Sequence, residues 1–93
     1  MIIPLSVILT KLGWSPNNYC NIVTPAYIIP AYEIHTSTEK FILYDYSNNH
    51  NDFDGIIIKK VFPILDDLFK GRLLSENHEK ELKVVMKQVG IIQ

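Results

Sequence analysis

The stretch that decides the fold runs from Tyr32 to Tyr46 and reads YEIHTSTEKFILYDY. Apolar and polar side chains alternate at its start, and aromatic and apolar residues dominate from Phe41 onward, as is typical of strands. Five polar residues, 36–40, lie between the two runs and favour a turn. The stretch therefore predicts a β-hairpin.

A third strand and three helices are predicted around this hairpin. Residues 56–62 are rich in β-branched side chains and predict a strand. Apolar residues at helical spacing predict an N-terminal helix over 4–12 and a last helix over 75–90, with a short helix over 63–71 that begins at a proline. Residues 19–30 contain two prolines and predict an extended, irregular segment.

The fold class predicted from these elements is α+β. We expect a small antiparallel three-stranded sheet with the N-terminal helix and two C-terminal helices packed on one face. The chain has 93 residues, 47% of them hydrophobic, which suits a single domain over 1–93.

Composition limits the cellular compartments and the classes of partner that we expect. Cys20 is the single cysteine, so the chain has no internal disulfide, and this suits the reducing cytoplasm. The apolar residues 1–9 lack a basic start and contain Pro4, so we expect neither export nor a membrane span. A net charge of −1 with one arginine disfavours binding to nucleic acid. Ile and Asn are frequent and Ala is rare, as in AT-rich genomes, which include many phages and mobile elements.

The sequence motifs give little support for a metal-binding site or a catalytic site. The loop from His50 resembles a calcium loop, but His50 and Val61 stand where carboxylates are needed, so we expect no metal and no cofactor. Cys20 and the histidines lie in separate elements, and we expect no catalytic site. A minimal enzyme or metal-binding module remains the alternative from another class.

Charge is distributed unevenly along the chain. Residues 33–67 hold seven acids and three lysines, net −4, whereas residues 68–93 hold five basic and three acidic residues, net +2. The positive residues of the last helix alternate with acids and predict a solvated face. Aromatic residues accompany the acids on the predicted sheet, so we expect a partner protein to bind there, although half of those aromatics belong in the core. The candidate partner-binding residues are Glu33, Tyr44, Asp45, Tyr46, His50, Asp52, Phe53 and Asp54.

Several short segments resemble the C-terminal half of the staphylococcal uracil-DNA glycosylase inhibitors. The matching segments are 28–30 (IIP), 41–44 (FILY), 49–53 (NHNDF) and 62–66 (FPILD). That family consists of small, strongly acidic, non-enzymatic proteins whose carboxylates mimic the DNA backbone, whereas this chain carries −1. The resemblance implies that Asp52, with Asp45 and Asp54, would imitate phosphates.

The function expected from the sequence is that of a small, non-enzymatic protein-binding module. It would be an inhibitor or regulator of the accessory kind that phages and mobile elements carry. A DNA-mimic inhibitor of uracil-DNA glycosylase and an immunity protein that neutralises a toxin are two specific versions.

Folding should not depend on metal, because the loop after His50 lacks the ligands that close a calcium site. Melting curves with excess chelator and with added calcium or zinc should coincide. A metal-dependent rise in Tm of more than about 5 °C, which corresponds to roughly 1 kcal/mol in a domain of this size, would contradict this expectation.

Overall fold

The architecture is an antiparallel sheet with two helices. The computed structural model describes residues 3–47, 55–62, 68–70 and 78–93. In chain order its elements are α1 (Leu5–Lys11), β1 (Ser15–Pro16), a 3-10 turn (Asn18–Cys20), β2 (Ile22–Val23), β3 (Ile28–Ile29), β4 (Ala31–His35), β5 (Lys40–Asp45), β6 (Ile56–Phe62), β7 (Leu68–Lys70) and α2 (His78–Gln88). Strands β1, β4, β5, β6 and β7 lie side by side in that order, and β2 pairs with β3 in a separate hairpin. The prediction of an α+β protein with an antiparallel sheet is confirmed.

The sheet is larger than the predicted three strands. All three predicted strands are present as β4, β5 and β6, and the described residues add β1 at one edge and β7 at the other. The predicted helix over 63–71 is wrong at residues 68–70, which pair antiparallel with β6; the rest of that range lies outside the described residues. The local spacing of apolar residues favoured a helix there. Pairing with the edge of β6 instead gives backbone N–H and C=O groups hydrogen-bond partners, and local helix propensity does not include this effect.

Both described helices end in the same way. After α1, Gly13 has φ 99°, its N–H donates to the Thr10 carbonyl, and the Trp14 N–H donates to the Leu9 carbonyl. After α2, Gly90 and the residue that follows it repeat this pattern. Glycine adopts positive φ without steric cost, so each helix ends just before a glycine, within two residues of the predicted ends at 12 and 90. Neither helix in the described part of the chain is long and apolar enough to cross a membrane.

One face of the sheet and the two helices share a core. Along β5, Phe41 and Leu43 point to this face, and the register places Ile34, Tyr32 and Ile58 beside them. The helices contribute Leu5, Ile8, Leu9, Leu82, Val85 and Met86, and Trp14 packs back against them. The helices bury a stripe of apolar side chains against the apolar side chains of one sheet face, and this burial holds the two layers together.

An ion pair also connects α1 with α2. The Nζ of Lys11 lies 3.1 Å from Oε2 of Glu79, and Lys83 lies 3.5 Å from the other oxygen of that carboxylate. These contacts lower the pKa of Glu79, the Lys11 hydrogen bond most of all. Lys80, Lys83 and Lys87 are exposed, which confirms the solvated face predicted for the last helix.

The stability of the fold should depend on the buried stripe of α2 and not on its lysines. Leu82 is fully buried, so Leu82→Ala should lower the free energy of unfolding by about 2–5 kcal/mol. Lys83→Ala should change it by about 0.5 kcal/mol or less, because the pair with Glu79 is solvent-exposed. Urea denaturation measures both, and equal effects would contradict the packing described here.

Candidate functional site

The predicted partner-binding residues do not all lie on one surface. Glu33 and Tyr44 point to the face of the sheet opposite the helices, which we call the open face, because the register alternates them with core residues. Both are half-buried, as is Tyr46 just after β5. His50, Asp52, Phe53 and Asp54 lie outside the described residues.

Asp45 is not an exposed surface residue. It is two residues beyond Leu43 on β5 and pairs with Ile56, so it points to the helix side of the sheet and is only 7% exposed. One carboxylate oxygen accepts a hydrogen bond from the Ser47 N–H at 2.9 Å. Strand alternation therefore separates Asp45 from Glu33 and Tyr44, so these three predicted partner-binding residues do not share one face of the sheet.

A β-bulge turns Phe62 onto the open face. Lys60 pairs with Phe41, but the next β5 residue toward the turn, Lys40, pairs with Phe62 instead of Val61. The extra residue reverses the alternation of β6 at this point, as bulges do. Phe62 therefore lies across from Lys40 on the open face, where 61% of it is exposed to solvent.

Lys40 lies across from Phe62, and Lys40 and His35 both contact the carboxylate of Glu33. His35 Nε2 lies 2.9 Å from Oε2 of Glu33, and Lys40 Nζ lies 3.4 Å from the same oxygen. The hydrogen bond with His35, and then Lys40, lowers the pKa of the Glu33 carboxyl although its partial desolvation opposes this. We call Glu33, His35, Lys40 and Phe62 the open-face cluster.

A groove of about 330 Å³ lies at the same end of the sheet, between residues 35–40 and Phe62. The turn that forms one wall is fixed by Thr36, whose N–H donates to the Glu39 carbonyl at 2.8 Å and whose hydroxyl accepts from the Glu39 N–H at 3.0 Å. Glu39 also pairs with Lys60 at 2.7 Å. The groove thus combines an exposed aromatic ring with hydroxyl groups and opposite charges on a fixed turn.

The other end of the open face is covered by the chain itself. Asn21 accepts a hydrogen bond from the Ala31 N–H at 2.8 Å, and Ile29 is buried. Burial raises the pKa of Tyr44, with smaller contributions from Cys20 and Tyr46. The segment before β4 therefore lies against this end of the sheet and restricts access to Tyr44.

A second exposed surface was missed by the sequence analysis. In the β2–β3 hairpin, Val23 pairs with Ile28, and both are exposed. Tyr19, in the 3-10 turn before it, is fully exposed. Residues 12–32 contain no Asp, Glu, Lys, Arg or His, and this absence of charge is the signal that could have identified the surface.

Metal-binding and nucleophilic groups are not gathered in the described ranges. No group of three or more His, Cys, Asp or Glu side chains that could hold a metal ion occurs among residues 3–47, 55–62, 68–70 and 78–93. Cys20 is half-buried at the end of the 3-10 turn.

Glu33 should titrate below the usual range of a glutamate, and His35→Ala and Lys40→Ala should each raise the pKa of its carboxyl, because each removes a side chain that stabilises the carboxylate. A lowered pKa in the folded state stabilises the protein above the pKa of the unfolded chain, and this contribution disappears as the pH falls through the folded pKa. Carboxyl NMR titration measures the shift, with Lys59→Ala as the control for a change of surface charge. An unchanged Glu33 titration in His35→Ala would contradict this contact.

Comparison with known proteins does not assign a role to these surfaces. Comparisons with models of protein families, with curated proteins and with solved structures found no match for this chain. The resemblance to the glycosylase inhibitors remains an expectation from short sequence segments. The function is therefore argued from the open-face cluster and its surroundings.

Proposed function

We propose that this protein acts by binding another protein, as an inhibitor or regulator, and that the open-face cluster is its contact surface. The observation that carries the proposal is the β-bulge that turns Phe62 onto the open face and leaves it 61% exposed. A regular register would place Val61 there and return Phe62 to the helix side. Bulges that redirect a side chain are frequent beside functional sites.

The surroundings of Phe62 match the composition of protein interfaces. Affinity at such interfaces comes mainly from a few aromatic or arginine anchors, which polar groups surround and shield from water. Here the anchor is Phe62, and the polar surround consists of His35, Lys40, Glu33 and the hydroxyl groups of the Thr36 turn. A partner of this surface would present an apolar pocket with hydrogen-bonding groups at its rim.

The DNA-mimic version of the function needs exposed carboxylates. On the described sheet, Glu33 is paired with His35 and Lys40, Glu39 is paired with Lys60, and Asp45 is buried. That version therefore depends on Asp52 and Asp54, which lie outside the described residues. These two aspartates follow β5 in the sequence, whereas Phe62 pairs with the first residue of that strand, so variants can separate the two hypotheses.

Phe62→Ala should weaken binding to the partner without unfolding the protein. We expect a faster dissociation rate, by a factor equivalent to roughly 1–3 kcal/mol, because an anchor of this kind acts mainly after encounter. The partner is identified by affinity capture from bacterial lysate with mass spectrometry, and its kinetics are then measured by surface plasmon resonance. Val84→Ala, which shortens an exposed apolar side chain on α2, is the matched control.

The loop variants provide the opposing result. If Asp52→Asn with Asp54→Asn abolishes capture while Phe62→Ala binds like the unaltered protein, the contact surface includes these two aspartates and the proposal for Phe62 is wrong. A uracil-DNA glycosylase assay with the same variants tests the DNA-mimic version directly. Inhibition that is lost only in the loop variants would favour that version.

A further inference from the structure

The described part of the open face carries more positive than negative side chains. The register places Lys40 across from Phe62, and it places Lys59 across from Ile42, a buried residue of this face. Strand alternation places one carboxylate among them, that of Glu33 on β4. The face that holds Phe62 therefore has an excess of lysine.

Two other acids of the same part of the chain do not change this balance. Asp45 points to the helix side of the sheet and is buried. Glu39 lines the groove, but one of its carboxylate oxygens lies 2.7 Å from Nζ of Lys60, which pairs with Phe41 on the helix side. Residues 33–67 sum to −4 along the chain, and yet their described side chains leave the open face positive.

Glu33 does not cancel the positive charge of this face. Its carboxylate lies 2.9 Å from His35 Nε2 and 3.4 Å from Lys40 Nζ, and 26% of its side chain is exposed, against 62% for His35. Lys59 is exposed and forms no ion pair with another residue of the described ranges. One lysine balances the carboxylate, so Lys59 remains for an anion, together with His35 when its ring is protonated.

We propose that the protein partner of the open-face cluster is acidic, and that one of its Asp or Glu side chains lies beside the pocket that receives Phe62. The acidity of the partner rests on the proposed function, because both concern the same contact. The ammonium groups of Lys40 and Lys59 form charge-assisted hydrogen bonds with a carboxylate, and such bonds are stronger than neutral ones. The adjoining turn adds the hydroxyl groups of Ser37 and Thr38, both exposed, as further donors. A partner that presents lysine or arginine there would meet like charge, so the contact also excludes basic proteins.

Nucleic acid is the alternative anionic partner, and the open face fits it less well. Single strands bind through successive aromatic side chains and a line of cations. On the described open face Phe62 is the exposed aromatic residue, whereas Tyr44 is half-buried. Glu33 stands among the cations, where its charge opposes a phosphate. One aromatic anchor with a few polar groups around it is instead the usual composition of a protein interface.

Quantitative affinity capture from bacterial lysate tests the charge of the partner. Proteins that the unaltered chain captures and Phe62→Ala does not are taken as partners of the open-face cluster. Lys40→Ala with Lys59→Ala should weaken their binding about tenfold at about 50 mM salt and less at about 500 mM, because salt screens the attraction. Lys80→Ala with Lys87→Ala, which removes two exposed lysines of α2, is the matched control and should bind like the unaltered chain.

Charge exchange identifies the acidic group and excludes a loss of folding. Lys40→Glu with Lys59→Glu should not bind, and a Lys exchanged for one Asp or Glu of the captured partner should restore its binding at least about tenfold. Unchanged binding of the double-alanine variant overturns the acidic partner and leaves the proposed function intact. A Phe62→Ala variant that captures every protein as the unaltered chain does overturns both. Capture that disappears after nuclease treatment would assign the open face to nucleic acid instead.

Discussion

Burial of the central strand on both faces is the constraint on which the rest of the structure depends. Three consecutive residues of β5, Phe41, Ile42 and Leu43, are each no more than 3% exposed. Because successive side chains of a strand point to opposite faces, this strand needs cover on both sides. The helices provide it on one face. The other face is covered near Ala31 by the segment that contains the β2–β3 hairpin, and its far end remains open.

The bulge in β6 connects this fold to the proposed function. Just before the bulge, Lys60 lies opposite Phe41, where its ammonium group lies 5.9 Å from the ring centroid and pairs with Glu39. The same register shift turns Phe62 away from the core. The ion pair therefore lies on one face of the sheet and the exposed aromatic side chain on the other, and we place the proposed contact surface at the aromatic side chain.

Charge has a mainly local role in the described structure. Glu33, Glu39 and Glu79 each face a lysine on another element, and Asp45 is buried beside its own turn. Carboxylates that are paired in this way stabilise the protein surface slightly. They contribute little electrostatic potential that could steer a partner toward the protein. Exposed apolar side chains also lie at both ends of the described sheet region, with Phe62 at one end and Val23 and Ile28 of the β2–β3 hairpin at the other.

The sequence by itself determined those elements whose signals are local. The periodicity of residues 4–12, the alternation around the Thr36 turn, the β-branched run 56–62 and the stop at Gly90 each specify an element without reference to the rest of the chain. Only the tertiary structure decided the strand at 68–70, the burial of Asp45 and the exposure of Phe62. A strand pairing, the face to which a side chain points and a bulge all depend on register with a distant neighbour, and a one-residue shift in register exchanges the two faces.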